Sequence, residues 1–209
     1  GFAVDRSGII RERIADLPSD LTTYQVIRLP GALAVPGLHN AHLHLAGIGA
    51  AQERIDLRGV VSVGEVRLRI ERFMTTHPDL KAYQGRGWDQ SRFPNQAFPK
   101  AADLVGLTDK PVCLARVDGH AVWVSNNLLD RAGIGKQPDP PGGRILRDSA
   151  GEPTGVLVDN AIDLVQSYLP KPTAEDEKRW IKIGLEHAAR SGLVAVHDMG
   201  MSVEAYRLL

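Results

Sequence analysis

Apolar and polar positions along the first part of the chain follow short, strand-like patterns. Two apolar segments, Phe2–Val4 and Ile9-Ile10, flank an Asp-Arg-Ser-Gly turn, and a further strand is predicted at Tyr24–Leu29, before a Pro-Gly turn. Residues 1–37 are therefore predicted to form a small, incomplete β unit. Leu38–Leu45 alternates with the two-residue period of a strand, so its even-numbered positions share one face.

Helical periodicity appears in two later segments. Val63–Met74 repeats apolar residues on one side of a helix, and Thr173–Arg190 combines a capping threonine with an acidic first turn. Gly192 is well placed to end the second helix. The apolar strand Leu193–Val196 and the polar pair His197-Asp198 follow it. Helix, glycine, buried strand and polar pair form one unit of a parallel α/β fold, in which functional groups gather at the carboxyl ends of strands.

The stretch between these helices, residues 77–172, has a different pattern. It holds most of the prolines and many of the glycines, with short apolar runs at Val112–Val117, Ala121–Val124 and Gly155–Val158. Apolar runs of this kind need burial, so a flexible linker is excluded. The pattern predicts an irregular inserted region of small strands and loops.

Composition narrows the class of protein. The 209 residues carry 25 Lys+Arg against 25 Asp+Glu, so the basic surface of a nucleic-acid-binding protein is not expected. No apolar run approaches the roughly 20 residues of a membrane span, and the N-terminus lacks a secretory signal. A cytoplasmic protein is therefore expected. The single cysteine, Cys113, lies in an apolar run, which favours a buried, inert thiol over a nucleophile.

The sharpest chemical feature is the pair His42 and His44. Two imidazoles two residues apart on a strand point to the same side, with Cβ atoms about 7 Å apart, and imidazole nitrogen is a good ligand for zinc and similar divalent metals. His39 faces the other way. Cupins use the same spacing, but they place a glutamate soon after the second histidine, whereas here the first one is Glu53, and cupins lack long helices. A pair of half-buried or surface histidines is the alternative at this stage.

Five motifs carry a resemblance to a known family. The segment PGLHNAHLHL resembles the PGxxDxHxHL signature of the metal-dependent amidohydrolase superfamily. GRGWDQ, PVCLARVDGHAVWVSNNLL, PPGGRILRDSAGEPTGVLVDNA and GLVAVHDMG resemble the amidohydrolase family 3 branch. The motifs occur in the expected order from about residue 30 to residue 201. On these motifs the chain is identified as resembling the N-terminal portion of such an enzyme.

The resemblance implies an α/β fold, the N-terminal part of a (β/α)8 TIM barrel with a small β-sandwich element and an inserted loop- and strand-rich region. The sandwich element would comprise 1–37, the first barrel segment 38–76, the insertion near the pocket 77–172, and a barrel helix and strand 173–209. His42 and His44 would bind a divalent metal, zinc, which activates water for attack on the carbonyl carbon of an amide-type C–N bond in a small-molecule substrate. Asn40 stands where the signature has aspartate, so no charged carboxylate is expected to support the ligands there.

Candidate substrate-binding residues follow from the same motifs. Each has a structural alternative: a packed indole, a turn, or a salt bridge between side chains. The candidates are Trp88, Asp89, Arg116, Asp118, His120 and Asp198.

Chain length separates two hypotheses about function. A (β/α)8 barrel alone typically needs about 250 residues. The family's remaining ligands and catalytic base, a lysine, further histidines and a late aspartate, would follow Leu209. The first hypothesis is that this chain is the N-terminal part of a metal-dependent hydrolase. The alternative is a non-catalytic truncated fragment, or a module that binds a ligand or partner, whose open strand edges would favour a homodimer.

Overall fold

The computed structural model of the chain describes residues 1–16, 19–20, 22, 24–33 and 35–207. These residues divide into two compact units, 1–36 and 37–209. The strands are β1 (Phe2–Val4), β2 (Ile10–Arg13), β3 (Leu38–Leu43), β4 (Ile55–Asp56), β5 (Tyr83–Trp88), β6 (Val112–Arg116), β7 (Ala121–Val124), β8 (Gly143–Arg147), β9 (Pro153–Asp159) and β10 (Leu193–Asp198). The helices are α1 (Leu45–Gln52), α2 (Val63–Thr76), α3 (Asn126–Arg131), α4 (Asp163–Gln166), α5 (Ala174–Arg190) and α6 (Val203–Tyr206).

The first unit contains the predicted hairpin. β1 and β2 pair antiparallel, and the Asp5 carboxylate accepts hydrogen bonds from the backbone N–H groups of Ser7 and Ile9 in the turn between them. The strand predicted at Tyr24–Leu29 is wrong, because these residues are exposed and form no ladder with any residue that the structure describes. A strand needs a hydrogen-bonded neighbour as well as a suitable sequence.

The second unit contains a pair of parallel strands, β3 near its start and β10 near its end in sequence. Leu43 and Asp198 are register partners at their carboxyl ends. α1 follows β3 and α5 precedes β10, so helices lie on the long crossover connection that parallel strands need. This arrangement confirms the helix, glycine and strand predicted from residue 173, but β10 is only partly buried, with Val194 exposed.

α1 and α5 pack with their backbones in direct contact. A Cβ atom at Gly49 would lie 2.0 Å from the carbonyl oxygen of Trp180, and one at Gly184 would lie 2.3 Å from that of Leu45. Only glycine permits such an approach. Glu53, directly after α1, accepts two hydrogen bonds from the Arg179 guanidinium, at 2.7 and 2.8 Å, and one from the Trp180 indole at 2.7 Å.

α5 begins as its sequence predicts. Thr173 is the N-cap, its hydroxyl accepts from the Asp176 backbone N–H, and the Asp176 carboxylate accepts from the Thr173 backbone N–H. This reciprocal pair is a capping box. Ser191 caps the other end, and Gly192 follows with a φ of 81°. Ile181, Gly184 and Ala188 form the buried stripe of the helix.

A six-stranded mixed sheet lies between α1 and α5 in sequence. Its strand order is β4-β5-β6-β7-β9-β8. β4, β5 and β6 are parallel, and the other pairings are antiparallel. α2 covers one face, over a core that includes Trp88, Leu114 and Trp123, while α3 and α4 cover the other.

The sheet is more regular than the predicted irregular region, and it begins at β4, before residue 77. The prolines and glycines lie mainly in the connections between strands, where they form turns, so strand content was underestimated. In the described part of the chain, no helix has both the length and the apolar composition needed to cross a membrane.

Candidate metal centre

His42 and His44 lie where β3 passes into α1. His42 is in the strand, and His44 is the N-cap residue of the helix with extended backbone angles. Strand alternation therefore continues through both positions, and the two imidazoles meet. Their ring centroids are 5.5 Å apart and the ring planes are nearly perpendicular, at 88°. Both residues are exposed.

Asn40 supports the first histidine through the backbone. Its side-chain oxygen accepts a hydrogen bond from the His42 backbone N–H at 2.9 Å. The asparagine therefore orders the strand at the histidine without supplying a charge, as the amide in place of the signature aspartate implies.

Asp198 reaches the same place from β10. Its Oδ2 accepts from the Leu45 backbone N–H at 2.7 Å, and its Oδ1 accepts from the Gly200 backbone N–H at 2.8 Å. Burial raises the pKa of Asp198, but backbone N–H donors from Gly200, Leu45 and Met201, together with the nearby His44, outweigh it and hold the pKa below the usual value. The carboxylate is therefore charged and already occupied by backbone donors.

The donor set fits part of a metal site. A zinc ion bound about 2 Å from an imidazole nitrogen lies roughly 3 Å from the ring centroid, so two rings sharing one tetrahedral ion have centroids about 5 Å apart. The observed 5.5 Å matches this requirement. Within the residues that the structure describes, no group of three or more His, Cys, Asp or Glu side chains is arranged to hold a metal. The described residues thus offer two candidate ligands of a centre that usually needs three or more.

A second polar cluster joins the ends of β5 and β6. The Arg116 guanidinium donates to Asp118 at 2.5 Å and to the Gln90 side-chain oxygen at 2.8 Å, and it lies 3.6 Å from Asp89. Three of the predicted substrate-binding residues therefore contact one another. Because Arg116 is already held by two carboxylates and an amide, its contacts match the salt-bridge alternative more closely than a free anion-binding arginine.

His120 extends this cluster across the β6–β7 turn. Its backbone N–H donates to Asp118, and its Nδ1 lies 2.9 Å from Asp159, a residue with a positive φ of 50°. Sequence reasoning missed Gln90 and Asp159. Both residues stood in quoted motifs, Asp159 at the end of the apolar run of β9 and Gln90 at the end of GRGWDQ, and these positions were usable signals.

Trp88 and Cys113 lie inside the sheet. Trp88 is fully buried, and its indole donates to the Leu114 carbonyl at 2.7 Å, so its predicted contact with substrate stays a prediction that rests on the family motif. Cys113 is buried as predicted, and burial raises the pKa of its thiol to about 12. The thiol is therefore protonated and inert at neutral pH.

A cavity of about 660 Å³ lies on the α4 side of the large sheet. Arg54, Arg86 and Lys171 line it together with one carboxylate, Asp163. None of the predicted site residues is among its described lining residues. The histidine pair is consequently defined by its ligand chemistry and its strand-end position, and not by an enclosed pocket.

Comparison with solved structures defines the class. The chain resembles two proteins described as uncharacterized metal-dependent hydrolases, from Pyrococcus horikoshii OT3 and Pyrococcus furiosus, with TM-scores of 0.60 and 0.58 and 26% identity to each. The match covers 83% of this chain in both cases, and 32% and 34% of those chains.

Comparison of sequences gives the family. The amidohydrolase family model matches residues 25–209, and the chain belongs to that family. Over 84% of this chain, it is 33% identical to the putative amidohydrolase YtcJ of Bacillus subtilis. Over 88% of this chain, it is 30% identical to the N-substituted formamide deformylase of Arthrobacter pascens. It is also 30% identical to the protein LONG AFTER FAR-RED 3 of Arabidopsis thaliana over 83%. The chain spans 34%, 36% and 30% of these three relatives respectively, about a third of each.

Proposed function

We propose that the chain contributes the first metal ligands of a metal-dependent hydrolase that cleaves amide-type C–N bonds in small molecules. The observation that carries this proposal is the imidazole pair, 5.5 Å between centroids, at the carboxyl end of a parallel strand in a member of the amidohydrolase family. His42 and His44 would hold the ion, which is proposed to be zinc. A divalent metal bound there supplies an acidified water and polarises the substrate carbonyl.

The surrounding fold supports a barrel as the larger architecture. β3 and β10 are adjacent and parallel although about 150 residues separate them, with α1 and α5 on the path between them. A β-strand, a crossover with helices and a parallel strand form the repeating unit of a (β/α)8 barrel. We propose that these are its first two strands, and that the six-stranded sheet is an insertion between them.

The substrate proposal rests on sequence similarity to one relative. The Arthrobacter pascens protein is named as an N-substituted formamide deformylase, and that name supports a proposal of amide-type C–N cleavage. We propose an N-substituted amide as the substrate class. The second polar cluster, with Arg116 and its acidic neighbours, would contribute to substrate access from the insertion.

The experiment compares metal content and amide hydrolysis in the longest form of the protein that its gene encodes. A variant with His42→Ala and His44→Ala is expected to lose bound metal and activity together. His187→Ala is the matched control, because His187 is exposed on α5 and distant in sequence from the pair. Unchanged metal content and turnover in the double variant would refute the proposal.

A second candidate is favoured by the incomplete donor set. The described residues offer two candidate ligands, and no group of three or more potential ligands is found among them. On this second proposal, the 209-residue chain by itself would bind a ligand or partner without turnover. Measuring hydrolysis by this chain alone, beside the longer protein, separates the two candidates. Turnover by the chain alone at the rate of the longer protein would exclude the non-catalytic function.

A further inference from the structure

The carboxylate of Asp198 is committed to backbone groups on two segments. One oxygen accepts from Leu45 at the start of α1, and the other accepts from Gly200, just after β10. Leu45 is 153 residues away in sequence, so the first of these is a long-range bond. The Met199 backbone N–H also donates to the Leu43 carbonyl at 3.0 Å, so a backbone hydrogen bond joins the residue after β10 to the end of β3 as well.

The start of α1 explains why this bond matters. The first backbone N–H groups of a helix have no partner within the helix, and a side-chain oxygen at the N-cap normally satisfies one of them. Here the N-cap residue is His44, whose side chain makes no capping hydrogen bond. Asp198 supplies an acceptor to the first helical N–H from another strand, and its charge suits the positive end of the helix dipole. The N-cap position is thereby free to carry an imidazole.

Gly200 defines the other side of the same histidine. A Cβ atom at this position would lie 2.8 Å from the Nδ1 atom of His44 and 3.2 Å from its Cε1 atom. The imidazole therefore rests on the bare backbone of Gly200. The φ of this glycine lies outside the left-handed region, so alanine is compatible with the backbone there, and its methyl group would act mainly by displacing the ring.

We propose that Asp198 and Gly200 are positioning residues for His44: the carboxylate fixes the backbone that carries the imidazole, and the glycine provides the surface that sets the ring's orientation. The inference rests on the proposed metal-binding function for its consequence, but the positioning can be measured without turnover. The predicted contact of Asp198 with substrate stays a prediction, because a carboxylate can accept further hydrogen bonds beside the two from the backbone.

The test uses Cu²⁺ as a probe, since imidazole pairs bind this ion and its electron paramagnetic resonance spectrum reports the number of coordinated nitrogens. Affinity and spectrum are measured for the full chain, with a His42→Ala, His44→Ala variant as the blank for the other five histidines. Amide hydrogen exchange at Leu45 is measured in parallel and needs no metal.

Asp198→Ala is expected to weaken Cu²⁺ binding about tenfold or more and to speed exchange at Leu45. Asp198→Asn keeps one acceptor oxygen and should fall between, which covers the case in which the alanine variant fails to fold. Gly200→Ala should change the spectrum of the bound ion while leaving exchange at Leu45 protected. Thr173→Ala is the matched control, because it removes the cap of another helix at a similar cost in stability.

The outcomes separate two failures. If wild type binds Cu²⁺ no better than the blank, the proposed metal function fails, and fast exchange at Leu45 in Asp198→Ala alone still supports the positioning. If wild type binds but Asp198→Ala and Gly200→Ala match Thr173→Ala in affinity and spectrum, the positioning role is overturned. Unchanged exchange at Leu45 in Asp198→Ala would overturn it in either case.

Discussion

Gly184→Ala is the sharpest test of how the histidine-bearing unit is held together. The new methyl carbon would lie 2.3 Å from the Leu45 carbonyl oxygen and 2.9 Å from the carbonyl carbon. Ordinary contacts begin near 3.4 Å, so the overlap is about 1 Å and falls on backbone, which cannot rotate away. α1 and α5 must therefore move apart.

Two effects of opposite sign set the magnitude. Alanine favours a helix over glycine by about 1 kcal/mol, whereas overpacking a close contact costs about 1–3 kcal/mol and more when backbone must move. We expect a net loss of about 2 kcal/mol in the free energy of unfolding. For a chain of this size that loss corresponds to a fall of roughly 4–8 °C in Tm.

Urea unfolding followed by far-ultraviolet circular dichroism measures this change, with Gly64→Ala in α2 as the matched control. The nearest atom to a Cβ at Gly64 is 3.8 Å away, so the control variant keeps the helix-propensity gain without a clash. Gly64→Ala should be neutral or slightly stabilising. If Gly184→Ala is as stable as Gly64→Ala, the close backbone contact does not determine the stability of this unit.

Two further predictions concern the same helix pair. Glu53→Gln weakens the bidentate pair with Arg179 and should lower the free energy of unfolding by about 1 kcal/mol, as measured by urea unfolding. The control, Glu186→Gln, disturbs an exposed pair with Arg190 at 3.8 Å and should have no measurable effect. Equal losses in both variants would refute a stabilising role for the pair between Glu53 and Arg179. Backbone and side-chain hydrogen bonds from Thr173, with a further bond from Arg179, lower the pKa of Asp176 to about 2. Since this folded-state pKa lies below the unfolded value, the stabilisation is present above about pH 4 and is lost as pH falls towards 2. When the free energy of unfolding is measured over this pH range, Asp176→Asn should therefore lose less of it than wild type does.

Local signals in the sequence were sufficient for several elements. The cap and the acidic first turn of α5 involve neighbouring residues, as do the turn between β1 and β2 and the glycine after α5, so their physics is contained in short segments. The strand order of the large sheet is different. β9 pairs with both β7 and β8, and these choices depend on which surfaces can be buried together. Tyr24–Leu29 shows the same limit, since strand propensity gave no strand where no residue that the structure describes pairs with this segment.

The candidate site divides along the same line. The common direction of His42 and His44 follows from the two-residue period of a strand, and sequence was enough to predict it. The bond between Asp198 and Leu45 could not be predicted, because it joins residues 153 positions apart and depends on the register of β3 with β10. The contact of Arg116 with Gln90 likewise depends on how two strand ends meet.

The place of the large sheet in the chain, between α1 and α5, bears on the proposed metal site. α1 and α5, the elements on either side of the insertion, contact each other through Gly49 and Gly184 and are joined by Glu53. The elements around the histidines, β3, α1, α5 and β10, therefore contact one another directly. Asp198 also joins the end of β10 to the start of α1 by a hydrogen bond. We therefore expect that changes in the loops and the polar cluster of the inserted sheet leave the imidazoles in place. On the proposed function, the inserted sheet would face the substrate while β3 would carry the metal ligands, so the two properties would belong to separate parts of the chain.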